Sequence, residues 1–340
     1  MNLTCNNTIT FHQHLQGDHL SSSMLYPLPD GKNSDSTTCI LGSLEAIKTF
    51  QPSQRPHHKI QPARSIMAVK DSLLSLDMGL KDCLYRIRRA HGRVVYVTVK
   101  DLDIIPEELR THGPSVISEL SKLSEWDDNT WETLTVSKDE SGIRTKCDSF
   151  KPHALQEQEI PGTYERINIF DLEILQEFKN RVFRVQRGEV QYFLKIARFG
   201  FELAWLVQEI KVYDLLTQYN SALAPRIVGY VFEEMPDRVI GFIVEEIHGS
   251  RPNTLHFEAC QVALQELHDL DILHGDINRD NLFITDEGVK FIDFEDSCIM
   301  NSAENKEEWD KKKSDEMQSL MEKLADDSGR GRPLTVGDDV

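Results

Sequence analysis

The chain has 340 residues, enough for two modest domains, and sets 38 Lys and Arg against 56 Asp and Glu for a formal charge of −18. That acidity argues against a general nucleic-acid binder and against docking on an anionic membrane surface; solubility is its plainest meaning. No apolar run approaches the roughly 18 residues of a membrane span.

The first stretch, MNLTCNNTITFHQHLQGDHL, has no apolar h-region of a secretory signal. The six cysteines (Cys5, Cys39, Cys83, Cys147, Cys260, Cys298) lie far apart, with no C-x-x-C pair. Free thiols in a non-secreted, intracellular protein of the cytoplasm or nucleus are therefore expected. Residues 1–65 are rich in Ser, Thr, Asn, Gln, His and Pro and are expected to be a disordered tail, with too little apolar surface to offset ordering entropy. His57 and His58 are read there as a solvated pair rather than a metal site.

Residues 66–150 read as a small α+β module. RVVYVTVK (93–100) alternates and is β-branched, so it predicts a strand; GPSVISELSKLSEW (113–126) predicts a short helix and WETLTVSK (131–138) another strand. Trp126 and Trp131 are assigned to core packing ahead of a ligand platform. The module carries no chemistry of its own, and a protein partner is the role left to it. KPHALQEQEIPGTYE, within 151–166, reads as a linker.

From 167 to 330 the elements follow one another closely. NRVFRVQRGEVQYFLKIA predicts two strands around a turn in which Gly188 takes the positive φ. In FELAWLVQEIKVYDLLTQY, Leu203, Leu206, Ile210 and Tyr213 recur at helical spacing. PRIVGYVFEE and RVIGFIVEEI form a second hairpin. Asn253 or Thr254 caps a helix with Phe257, Cys260, Ala263, Leu264 and Leu267 on one face. NLFIT and VKFID flank the turn DEG as a third hairpin, and a charged helix ends at DSGRGRP before the tail 331–340.

Between the helix capped by Asn253 or Thr254 and the third hairpin lies HGDINRDN (274–281), which resembles the catalytic loop of the protein-kinase-like superfamily. IDFE (292–295) matches the position of D-F-G, FLKIA (193–197) the strand bearing the phosphate-binding Lys, and QEIKVYDLL the next helix with its Glu. The stretch is also similar to a group of fungal kinase-like proteins that share HGD-x-N-R-x-N, IDFE and DxSGRG. The resemblance implies a two-lobed kinase-like fold, here with a minimal C-terminal lobe like those of RIO-type and Bud-type atypical kinases. It implies ATP and Mg²⁺ as cofactors and an acceptor the motifs do not name.

The residue types suit that chemistry, since phosphoryl transfer needs positioning and charge neutralisation above all. Asp276 can take the acceptor's proton, with Asn278 beside it where many protein kinases have Lys. Asn281 and Asp293 offer oxygens to Mg²⁺. Lys195 can contact phosphates and Glu209 can hold it, with Glu202 as rival partner. The hinge at Glu245 to Ile247 would meet adenine, and Val244 would border the back of its pocket. His274 is expected to anchor the loop.

The match departs in four places. LQEFKNRVF (175–183) has no glycine where a glycine-rich loop belongs; Lys179 and Arg181 could substitute by charge, although two solvated cations is the plainer reading. Phe193 stands on the Lys195 face of its strand, where it would either stack on adenine or fill its pocket. Glu295 replaces the Gly of D-F-G and Gly275 the Arg of H-R-D, as in choline-kinase-like and aminoglycoside-phosphotransferase-like enzymes. A phosphotransferase is the leading expectation; a pseudokinase scaffold with weak or no nucleotide binding, and an interaction protein, are the alternatives.

Overall fold

The computed structural model describes residues 70–178, 181–301 and 305–328, and their β-branched and aromatic runs before residue 300 pair into two sheets and two short ribbons. The expected disordered tail 1–65, the pair His57 and His58, Lys179 and the tail 331–340 lie outside these residues. The described fold is mixed α+β.

The first sheet runs in the order β1 (Ser72–Met78), β2 (Cys83–Arg88), β3 (Val94–Val99), β4 (Thr133–Asp139), β5 (Gly142–Cys147). Its pairs are antiparallel except β3 with β4. That parallel pair needs a crossover, and the connection contains α1 (Gly113–Leu120). Tyr85, Ile87, Val95, Val97, Leu134 and Val136 face Val116 and Leu120 of the helix in one core. Trp126 and Trp131 are buried in that core, with ring centroids 6.2 Å apart and the Arg89 guanidinium over Trp126, so they are packing residues as expected. β1, β2 and β5 escape the sequence reading: β1 and β5 lie at the sheet edges with much of their length exposed, and alternation there is weak.

The opposite face of this sheet meets the rest of the chain. Val94 and Tyr96 pack on Phe199, with Leu74, Leu84 and Phe170 around them. Below them Glu233 is fully buried between Arg86 and Arg238, with the Tyr96 hydroxyl donating to it at 2.9 Å. Burial works to raise the Glu233 pKa, but the two guanidinium charges outweigh it and hold the group below the ordinary carboxylate value. The stretch 151–166 docks on the second half of the chain at particular points: the Leu155 N–H donates to the Val239 carbonyl at 2.8 Å, and Leu155 and Ile160 are buried.

The second sheet contains β6 (Glu165–Asn168), β7 (Glu173–Phe178), β8 (Val182–Arg187), β9 (Val190–Ile196), β10 (Ile227–Phe232) and β11 (Val239–Glu245), in the order β6-β10-β11-β9-β8-β7. Gly188 turns β8 into β9 with φ 63°. Leu194 and Ile196 join Ile167, Val185 and Ile243 on one face. Alternation sends Phe193 and Lys195 to the other. α2 (Leu203–Gln218) buries Leu206, Ile210 and Tyr213 as its spacing predicts.

The remainder is α3 (Phe257–Asp269), β12 (Ile272–Leu273), the hairpin β13 (Leu282–Thr285) and β14 (Gly288–Phe291), β15 (Cys298–Ile299) pairing with β12, and α4 (Lys306–Ala325). α3 buries Cys260, Ala263, Leu264 and Leu267; α4 buries Trp309, Leu320 and Leu324. No helix among the described residues is long and apolar enough to cross a membrane. Among the described residues, Cys83, Cys147 and Cys260 are free thiols.

Candidate functional site

Lys195 is a strand residue with its ammonium fully buried. An isolated buried ammonium would deprotonate, so the fold must supply anions. It supplies three: Glu209 Oε2 from α2 at 2.7 Å, Asp293 Oδ1 after β14 at 2.7 Å and Glu295 Oε1 at 2.8 Å. Burial pushes the Lys195 pKa down, but Asp293, Glu209 and Glu295 together raise it above the ordinary lysine value. Burial raises Asp293 to about 8 against the pull of Lys195, and it raises Glu209 as well. The rival Glu202 instead binds Arg198 at 2.6 Å, so α2 gives Lys195 the partner named first.

The HGD loop is built from its own polar side chains. His274 donates from Nε2 to the Ile292 carbonyl at 3.0 Å and accepts the Asp276 N–H at Nδ1, while its ring lies 5.1 Å from that of Phe294. Burial lowers its pKa and keeps the imidazole neutral, which both bonds require. It anchors the loop as expected. Gly275 has φ 82°, and a Cβ there would lie 2.1 Å from the Asp296 carbonyl oxygen, so no larger residue fits. Asn278 Oδ1 accepts the N–H groups of Asp280 and Asn281 at 2.8 and 3.1 Å, and its amide donates to Asp276 Oδ2 at 3.2 Å. Asn281 donates to the same Oδ2 at 3.0 Å. Neither amide uses Oδ1 of the half-buried Asp276. Asn278 is thus first a turn residue, aligning Asp276 from the side.

Two links bring this loop to Lys195. The Ile292 N–H donates to the Asn281 carbonyl at 3.0 Å, and Asp293 then takes φ 65°, a left-handed conformation that Asp tolerates better than most residues. Phe294 is buried against Tyr213 of α2 and His274 of the loop. Lys195, Glu209, Asp293 and Glu295 therefore share one cluster, and the backbone bond from Ile292 ties the Asn281 end of the loop to the residue before Asp293.

The donor set suits a small hard cation. Asn281 is fully buried, and its Oδ1 has no hydrogen-bond partner among the described residues although its amide donates twice. Oxygen atoms of Glu209, Asp293 and Glu295 lie within 4.8 Å of one another. Carboxylate and amide oxygens of this kind fit Mg²⁺.

The residues expected to meet the base are arranged differently. Phe193 is buried with its ring 5.9 Å from Phe178 of β7. Val244 and Ile247 are buried; the Glu245 N–H donates to the Arg226 carbonyl and its carboxylate pairs with Arg226 at 2.6 Å. A groove of about 860 Å³ beside this segment is lined by Tyr192, Arg226, Glu245, Ile247, His248 and Lys290 among others, and by none of Lys195, Asp276, Asn281 or Asp293.

Three contributors were not among the expected site residues. Glu295 sits on Lys195, a contact that alternation after Asp293 hints at but no spacing fixes. Arg181, read as a solvated cation, is buried, 2.8 Å from Glu295, donating to the Ile196 carbonyl at 3.2 Å. Glu316 of α4 accepts the N–H of Gly275 at 2.7 Å and pairs with His268 at 2.7 Å, which clamps the loop from a helix distant in sequence. No family model and no curated protein matches the chain.

Proposed function

We propose that residues 167–330 form a two-lobed, protein-kinase-like domain with a minimal C-terminal lobe, and that the protein transfers a phosphoryl group from ATP, with Mg²⁺, to an acceptor hydroxyl. The observation that carries this reading is the position of the Lys195 ammonium, 2.7 Å from both Glu209 and Asp293. A strand lysine, a helix glutamate and an aspartate after a hairpin have no reason to converge in a buried pocket for stability alone. Buried ion clusters of this kind contribute little net stability.

In this reading Lys195 neutralises phosphate charge and Glu209 keeps its side chain extended. Asp293 and Asn281 hold the metal, which when bound shields the phosphates and orients them. Asp276 receives the acceptor's proton, its carboxylate fixed by the amides of Asn278 and Asn281. Backbone groups of Glu245 to Ile247 hold the adenine.

A pseudokinase scaffold is the second reading, and Phe193 favours it. Its burial against Phe178 supports an adenine slot filled by side chains. Thermal unfolding with and without ATP and Mg²⁺ separates the two. At a nucleotide concentration 100 times Kd, binding to the folded state adds about 2.7 kcal/mol. The phosphotransferase reading expects that shift and expects Asp293→Ala to remove its Mg²⁺-dependent part. No shift with any nucleotide or metal leaves the scaffold.

A further inference from the structure

Three carboxylate oxygens crowd the Lys195 ammonium within 2.8 Å, that of Asp293 as a hydrogen bond and those of Glu209 and Glu295 as ion pairs. A phosphate oxygen can therefore reach Lys195 only where a carboxylate leaves. The three are not equivalent. Glu209 is fully buried and Asp293 nearly so, whereas the Glu295 side chain keeps 14% of its surface exposed. Glu295 is also the one of the three held by two cations at once, Lys195 at 2.8 Å and Arg181 at 2.8 Å. Charge-assisted bonds from an ammonium and a guanidinium suit a phosphate oxygen as they suit this carboxylate.

Arg181 is fixed independently of that contact. Its Nε donates to the Ile196 carbonyl and its guanidinium lies 5.4 Å from the centre of the Trp205 ring, which is itself partly exposed at the protein surface. It would stay in place if the carboxylate swung out. No glycine occupies 175–183, so backbone amides there approach an anion less closely, and a guanidinium is the group left to do so.

We propose that Glu295 stands in for a phosphate of the nucleotide, and that Arg181 and Lys195 form the two-cation site which takes the triphosphate once Glu295 is displaced. The inference rests on the phosphotransferase reading and adds Arg181 as a phosphate-binding residue and Glu295 as its internal competitor.

The test is calorimetric titration of the full chain with Mg²⁺–tripolyphosphate and with Mg²⁺–ATP. Glu295→Gln should bind tripolyphosphate about tenfold or more tightly than the wild type, and adding Arg181→Gln should abolish the gain. Asp296→Asn removes the same charge from an exposed neighbour and should change affinity less than twofold. Should Glu295→Gln fail to fold, Glu295→Asp keeps the charge, shortens its reach and should shift affinity in the same direction. A gain in Asp296→Asn equal to that in Glu295→Gln, or a gain that survives Arg181→Gln, overturns the proposal. So does wild-type ATP binding that neither Glu295 variant tightens, which leaves the phosphotransferase reading intact. Absence of ATP and tripolyphosphate binding in every variant removes both.

Discussion

At the scale of single residues, the site depends on side chains whose surroundings leave them one conformation. Gly275 shows this most sharply. Its φ of 82° and the Asp296 carbonyl 2.1 Å from where a Cβ would stand make Gly275→Ala doubly strained. We expect a loss of about 3 kcal/mol or more in urea unfolding; a loss below about 1 kcal/mol would mean the loop can move aside. Asp276, Asn281, Asp293 and Lys195 were named because their segments resemble those of the protein-kinase-like superfamily in the same order. Asn278 also stood out, but its second task, capping the turn through Oδ1, follows from hydrogen-bond geometry alone. Arg181 was misread as solvated because a cation in a polar stretch looks solvated until its partner, 114 positions away, is placed beside it.

At the scale of elements, β9 presents Lys195 and Phe193 to the same side, and the two residues pull the functional reading in opposite directions. Phe193→Ala should cost about 3–5 kcal/mol through the cavity left against Phe178. If the ring fills the adenine slot, the same variant binds ATP more tightly; unchanged affinity would clear Phe193 of obstruction. α4 holds the loop through Glu316. Burial raises the Glu316 pKa, but bonds from His268 and the Gly275 N–H outweigh it and keep the group below its ordinary value. Glu316→Gln should weaken these charge-assisted bonds, costing about 1.5–3 kcal/mol and lowering nucleotide affinity through the loop. A variant that loses stability with full affinity would confine α4 to a structural role. The charge pattern of α4 marked it as a helix; that one of its many acidic residues faces inward was set by its docking on α3 and β12.

At the scale of the whole molecule, the sheet of residues 72–147 and the sheet bearing Lys195 are locked through Arg86, Glu233, Arg238 and Tyr96. Removing one partner leaves the others buried and unpaired, so Arg86→Met should cost about 3–5 kcal/mol, read as a lowered Tm and faster proteolysis. Unchanged stability would mean the two sheets associate through apolar contact alone. The same junction sets an acid limit. Burial pushes His153 down to about 4, the Arg238 charge adds to that, and the Ala197 carbonyl and Glu233 oppose it. An unfolded His titrates near 6.5, so the unfolded state takes up the proton first. Stability from this group is full above pH 6.5 and declines as pH falls toward 4, by at most about 1.4 kcal/mol per pH unit. His153→Gln should flatten that part of the profile; an unchanged slope would assign it to the carboxylates.

The order β8, β9, α2, β10, β11, α3, β13, β14 and α4 was legible in the sequence, because apolar periodicity and turn glycines are local properties of the chain, whereas β6, β7, β12 and β15 were not read from it. The set Lys195, Glu209, Asp276, Asn281 and Asp293 was named through the resemblance of four segments, in order, to the protein-kinase-like superfamily, because each residue alone is a weak signal. The edge strands β1 and β5, the third carboxylate on Lys195, the inward turn of Arg181 and the clamp from Glu316 belong to the tertiary structure alone. Apart from the two strands, which pair with their chain neighbours β2 and β4 across short turns, each is an ion pair or hydrogen bond between segments remote in sequence. Its strength comes from burial that exists only once the elements have packed.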